Sequence, residues 1–129
     1  MRDSGFSEET IVPISYDTRN WTNEVNRQAM VEILSGDSRP DALMLLDDFQ
    51  LPGVISAFNA LGLRTPGDIL ICVWHNSGAK DPDISCMVME VDTDAIAYGL
   101  CAQLDHLLAG RGVPQQTLVR GHLRLVGNI

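Results

Sequence analysis

The sequence predicts an α/β domain, a three-layer arrangement around an open and mostly parallel sheet. Three stretches carry that expectation. Arg39–Ser77 holds a short apolar run, an amphipathic helix pattern and a second apolar run, with turn signals between them. Trp21–Leu34 before it reads as a helix, and Asp92–Ala109 after it as a longer one. Helical and strand patterns alternate along the whole chain, which is the signature of this class.

The elements follow in order. Ile11–Tyr16 is a short strand interrupted by Pro13, which lacks a backbone donor and so suits a sheet edge. Trp21–Leu34 carries Thr22 or Asn20 as its cap and Glu24 in its first turn. Val25, Ala29 and Ile33, with Met30 and Leu34, make its apolar side. Arg39-Pro40-Asp41 turns the chain into Ala42–Leu46, too short for a helix and read as a buried strand. Asp47 and Asp48 end that run and supply helix-start chemistry. Leu51, Val54, Ile55, Phe58 and Leu61 then repeat at helical spacing, Pro52 fits the first turn, and Gly62 can close the helix. Thr65–Asp68 turns into a strand, Ile69–Val73, which ends at Trp74-His75-Asn76-Ser77. Two strands joined through one helix are expected to lie parallel.

Gly78–Ser85 lacks periodicity and reads as a loop, and Cys86–Glu90 as a short strand. Asp92-Thr93-Asp94 caps the longest helix, whose wide face of Ile96, Ala97, Leu100, Cys101, Leu104, Leu107 and Leu108 asks for substantial burial. Gly110–Pro114 breaks it. Thr117–Val126 alternates, Val119, Leu123 and Leu125 in one set and Arg120, His122 and Arg124 in the other, as a half-exposed strand does.

Composition narrows the function. A chain of 129 residues with 45% apolar content is expected to form one domain. Its formal charge of −8 and its single lysine, Lys80, argue against direct nucleic-acid binding, which needs clustered basic residues. Cys72, Cys86 and Cys101 each lie in an apolar segment and read as reduced core thiols of a cytoplasmic protein. Zinc-binding spacings do not occur, and no metal or cofactor is expected. Met1–Ser4 has no apolar segment behind it, so no signal peptide is read, and no run reaches the length of a membrane span.

In open parallel sheets, ligands bind beyond the carboxyl ends of the strands. Here those ends bring together Asp47, Asp48, His75 and Asn76, the candidate ligand-binding residues. The plain alternative is that the aspartates only cap a helix and Asn76-Ser77 only turns the chain. A carboxylate and an imidazole can serve as acid and base, which keeps open a free-standing small-molecule-binding or enzymatic domain using Asp47, Asp48 and His75. No nucleophile stands at a defined spacing from a base, so a binding module, not an enzyme, is the expectation.

The words LLDD and QLPG resemble a response-regulator receiver domain. That chemistry needs an acidic pair after the first strand and a lysine one strand beyond the central hydroxyl residue. The acidic pair is absent and Lys80 stands on the wrong loop, so the receiver is set aside. A broader resemblance covers nearly the whole chain. Arg39-Pro40-Asp41-Ala42, Asp47-Asp48, Leu61-Gly62-Leu63-Arg64-Thr65-Pro66 and Asp68-Ile69 match, in order and spacing, the sensor region of LacI/GalR-type transcriptional repressors. Cys86–Asp92, the helix after it and Leu118–Val126 resemble the strand, helix and strand that follow there.

The resemblance implies a periplasmic-binding-protein-like sensor, closing two α/β subdomains around a sugar or nucleobase-like effector. It implies that DNA is reached only through a helix-turn-helix headpiece, absent from this chain. The chain resembles the carboxyl-terminal part of the sensor, residues 1–129 forming one effector-binding fragment with 86–109 on the first-subdomain side. The resemblance places Trp21 against the ligand, with a helix-entry staple as the plain alternative, and Trp74 in the core. It puts His75 where the family carries an effector-binding aspartate, so the effector is not a typical sugar or its binding is lost. Ile96, Leu100, Leu104 and Leu107, with Met87 and Met89, lack a family-like partner within one chain, and a homodimer is therefore expected.

Overall fold

The computed structural model describes Pro13 and residues 22–127. Their elements run α1 (Asn23–Ser35), β1 (Ala42–Leu45), a single 3-10 turn (Asp48–Gln50), α2 (Leu51–Leu61), β2 (Leu70–Asn76), β3 (Cys86–Val91), α3 (Thr93–Leu108) and β4 (Gly121–Val126). The expected strand at Ile11–Tyr16 lies outside the described residues, apart from Pro13. The four strands form one sheet in the order β1-β2-β3-β4. The first two pairings are parallel and the last is antiparallel.

Local chemistry explains the helix ends. Of the two cap candidates for α1 it is Thr22 that acts, its side chain accepting the Val25 N–H at 3.1 Å. In α2, Gly62 takes the left-handed conformation, φ 66°, where a side chain would be strained. Asp92 caps α3 by accepting the Ala95 N–H at 2.9 Å.

The strand registers sort the sheet into two unlike faces. One face carries Leu43 beside Ile71, then Leu45, Val73 and Val88 in a row, with Cys86 beyond. α1 and α2 cover it, adding Met30, Leu34, Leu51, Val54, Ala57 and Phe58 to a single aliphatic core. Burying a side chain such as Val54 or Phe58 contributes about 1.5–3 kcal/mol. The opposite face carries Met44, Cys72, Met87 and Leu125 in one row and Trp74, Met89 and Leu123 in the next. Among the described residues no helix packs down on that side: α3 stands over it across a groove, and no residue of α3 is buried.

Three expectations are corrected by this asymmetry, and the facing of β4 is settled by it. Trp74 is not core but 43% exposed, because strand alternation sends it away from its buried neighbours Val73 and His75. The wide apolar face of α3 stays open, with Leu100, Leu104, Leu107 and Leu108 exposed, since the helix meets no covering layer. Cys101, on that helix, is exposed; only Cys86 is a core thiol, and burial pushes its pKa up. In β4 the alternation holds, but Leu123 and Leu125 face the open side, while Arg124 shares the helix-covered side with Val88.

Helices α1 and α2 meet unusually closely. The buried Asn26 of α1 donates through Nδ2 to the Gln50 carbonyl at 2.6 Å, and lies against Gly53. A Cβ on Gly53 would stand 2.5 Å from Asn26 Nδ2 and 2.7 Å from Asn26 Cβ. Helix preference alone would favour Gly53→Ala by about 1 kcal/mol. Overpacking of this kind costs about 1–3 kcal/mol, and Asn26 Cβ cannot rotate away, so overpacking wins. Gly53→Ala should therefore lower the urea midpoint in the native chain, and raise it in an Asn26→Gly background.

Candidate functional site

The carboxyl ends of β1 and β2 lie side by side, and the two aspartates after β1 take different tasks. Asp47 caps the 3-10 turn, its Oδ1 accepting the Phe49 N–H at 3.1 Å. Asp48 is left to point its Oδ2 at His75 Nε2, 3.9 Å away. His75 is not at a loop end, as the apolar run suggested. Pairing with β3 extends β2 to Asn76, and alternation then turns His75 onto the helix-covered side, where it is 3% exposed.

The histidine ring is held by one firm contact. Its Nε2 lies 3.1 Å from the Lys80 carbonyl, which can only accept, so Nε2 carries a hydrogen, and in the neutral ring Nδ1 is then an acceptor. Nδ1 is buried with no protein partner. Asn26 Oδ1 is also buried without one, on the helix that reaches across to Gln50. Native interiors leave few such atoms unmatched, and each asks for a donor from a ligand or water.

Beside His75 the register places Glu90 on β3 and His122 on β4. Arg124 ties this row to the loop before β3, donating through Nε to Glu90 at 2.7 Å and through Nη2 to Asp81 at 2.5 Å. The guanidinium beside Asp81 holds that carboxyl below its usual range, and the two carboxylates push the Arg124 pKa up. Lys80, next in the loop, pairs with Asp83.

Of the residues expected to bind ligand, Asp48 and His75 are thus brought together, with Asp47 as a cap beside them. Asn76 is exposed, and alternation puts it on the opposite face of the sheet from His75. Trp21 lies outside the described residues. Sequence reasoning missed Asn26, Asp81, Glu90 and Arg124. A glutamate inside the apolar run Met87-Val88-Met89-Glu90-Val91 was the one visible signal. A groove of about 560 Å³ lies elsewhere: it runs between α3 and the open sheet face, and Asp47, Asp48, His75 and Asn76 do not line it. Among the described residues no cluster of three or more histidine, cysteine or acidic side chains could hold a metal. Nor is any described helix long and apolar enough to cross a membrane.

A parallel sheet with its polar groups gathered at the strand ends is the architecture of a ligand-binding α/β domain. Residues 1–126 match the family of periplasmic binding protein-like domains, and the chain belongs to that family. Among solved structures it is similar to a protein described as a ribose operon repressor, from Burkholderia thailandensis. The identity is 25%, the TM-score 0.62, and the match covers 78% of this chain and 38% of that one. It is similar in fold to a LacI family transcriptional regulator from Arthrobacter sp. FB24 in complex with lactose, at 24% identity and TM-score 0.59, over 81% of this chain and 40% of the other. The Lac repressor dimer bound to operator shares the fold at 20% identity and TM-score 0.65, over 81% and 37%. These matches agree with the LacI/GalR-type sensor resemblance drawn from the sequence. The chain spans less than half the length of each of these structures. No curated protein matches it.

The Arg124 fork gives a pH dependence whose sign follows from the direction of the shift. Because the Asp81 pKa is lowered on folding, its contribution is complete above the unfolded value of about 3.9 and is lost as pH falls through the folded pKa. Arg124→Gln should move the Asp81 carboxyl resonance to titrate at higher pH, toward the ordinary value. It should also flatten the fall in stability below about pH 4. Carboxyl NMR across an acid titration, with urea melts at each pH, checks both.

Proposed function

We propose that this chain is the effector-sensing part of a LacI/GalR-type transcriptional regulator, binding a small sugar-like or nucleobase-like ligand at the carboxyl ends of β1 and β2. The observation that carries this reading is the Asp48–His75 pair at that edge, with a buried acceptor on the imidazole and a second on Asn26. An ionised carboxylate and an imidazole Nδ1 both accept, so they suit a ligand rich in hydroxyl or ring N–H donors. Likeness to a ribose operon repressor and to a regulator in complex with lactose supports the same ligand class. The Lys80 carbonyl closes over the His75 ring, so contact with ligand would require residues 78–85 to move. Such a ligand-dependent loop position is the material for a population shift between two sensor states. Trp21, Asp47 and Asn76 stand at the margin of this reading: Trp21 as a stacking surface, the other two as further polar contacts.

The reading makes the chain a cytoplasmic binding module and not an enzyme, paired as a homodimer, with 86–109 contributing to the first-subdomain side. DNA would be contacted only through a separate headpiece, so the isolated chain should show no salt-sensitive nanomolar affinity for duplex DNA in a fluorescence-anisotropy titration. A thermal-shift screen over sugars, sugar phosphates and nucleobases is the direct test of ligand binding. At least one class should raise the melting temperature, and a flat response across all three would sink the sensor reading. Against the best ligand, Asp48→Asn should weaken binding about 10–100-fold, the scale of one hydrogen bond to a charged group of about 1.5–3 kcal/mol.

A further inference from the structure

We propose that residues 78–83 form a strap over the His75 imidazole, and that the Asp81–Arg124 ion pair is the catch that holds it shut. Arg124 is then a positioning residue for ligand binding, acting on His75 through the loop it tethers. The inference rests on the sensor reading above for its meaning, and adds to it how the site is opened.

Both ends of the strap are fixed. At the first, the Ser77 N–H donates to the Val91 carbonyl at 2.9 Å, and the Ser77 and Thr93 hydroxyls lie 3.4 Å apart. At the second, Ile84 packs against the core and the Thr65 hydroxyl donates to the Ser85 carbonyl at 2.8 Å. Gly78 follows the first end with φ 78°, and nothing lies within 4 Å of where its Cβ would stand. The backbone has room to turn there, about a residue with no side chain to strain.

Beyond the turn that pairs the Ala79 N–H with the Asn76 carbonyl, two polar contacts among the described residues tie the strap to the sheet. One is the Lys80 carbonyl on His75 Nε2, and the other is Asp81 on Arg124 Nη2. Lys80 and Asp81 are adjacent, so the carbonyl cannot leave the ring far while the aspartate is held. The Lys80 side chain pairs with Asp83 inside the strap, and that pair travels with it.

The two arms of the Arg124 fork are unequal. Its Nε arm joins Glu90, and both residues belong to the sheet. Glu90 is 28% exposed and Asp81 58%, and ion pairs weaken as their partners are solvated, so the Asp81 arm releases first. When it parts, Glu90 keeps the guanidinium paired and no half-buried charge is stranded. Closed, the strap occupies the Nε2 hydrogen of His75. Opening returns that donor to an edge where the Asp48 carboxylate, 3.9 Å away, accepts. A ligand hydroxyl, donor and acceptor at once, fits that pair.

The experiment uses the full chain without ligand. It follows the rate at which diethyl pyrocarbonate modifies His75, read by peptide mass spectrometry, with the exposed His106 of α3 as internal standard. Asp81→Ala should speed modification of His75 about fivefold, the equilibrium factor of an exposed ion pair at the upper end of its usual strength. Amide exchange across 78–83 should rise with it while the circular dichroism stays native. Asp81→Glu should restore most of the protection. Asp83→Ala removes the same charge from the same loop but breaks only the pair inside the strap, so His75 should stay protected. Added salt should speed modification in the unaltered chain and not in Asp81→Ala. His75 as protected in Asp81→Ala as before overturns the catch, and so does equal loss of protection in Asp81→Ala and Asp83→Ala. If Asp81→Ala does not fold, the unaltered chain decides, a rate independent of salt overturning the catch. No ligand enters these readouts: their failure leaves the sensor reading standing, and a flat ligand screen removes that reading without changing these rates.

Discussion

The pairing of β2 with β1 on one side and β3 on the other is the constraint on which the rest depends. Because β2 is held by partners along its length, its alternation cannot slip, and each residue is committed to a face. Ile71, Val73 and His75 go to the helices; Cys72, Trp74 and Asn76 go to the open side. A one-residue change of register would exchange the two sets. It would put His75 in the groove and Trp74 against α1 and α2. The buried imidazole near Asp48 and the exposed indole under α3 are therefore two consequences of one register.

The helix layer and the polar end of the sheet are coupled in turn. Asn26 reaches from α1 to the Gln50 carbonyl, and Gly53 leaves it room. That contact fixes the start of α2, and with it the 3-10 turn that carries Asp48 to the ring of His75. On the far side, Arg124 binds Glu90 and Asp81, so the loop whose Lys80 carbonyl covers His75 is anchored to β4. The histidine is thus enclosed by two segments, each tied by a polar contact to a different part of the core.

Part of this was legible from local chemistry. The bounds of α2 follow from Leu51, Val54, Phe58 and Leu61 at helical spacing, with Pro52 inside the start and Gly62 at the end. The parallel pairing of β1 and β2 follows from the helix between them, and the grouping of Asp48 with His75 follows from that pairing. The ordered words around Arg39–Ile69 led to the LacI/GalR-type sensor resemblance, in keeping with the chain's place among periplasmic binding protein-like domains. Each of these signals spans a few residues or one supersecondary unit, where spacing and backbone preference decide the outcome.

Where each apolar surface goes was not legible. Sequence shows that α3 and β4 have apolar sides; it does not show whether anything stands opposite them. Trp74, placed in the core by the family resemblance, and Leu100, on a helix face that asks for burial, are both exposed, because burial depends on a second layer that local pattern does not specify. Asn26 carries no sequence signal of burial and is buried, because Gly53 lies across from it on another helix. Glu90, Arg124 and Asp81 are far apart along the chain and meet only once the antiparallel register of β3 and β4 is set. The sequence by itself determined most of the described elements, their parallel core unit and the family. Tertiary structure alone decided which face of the sheet is covered and which polar groups meet, since burial and pairing belong to what lies opposite a residue in space.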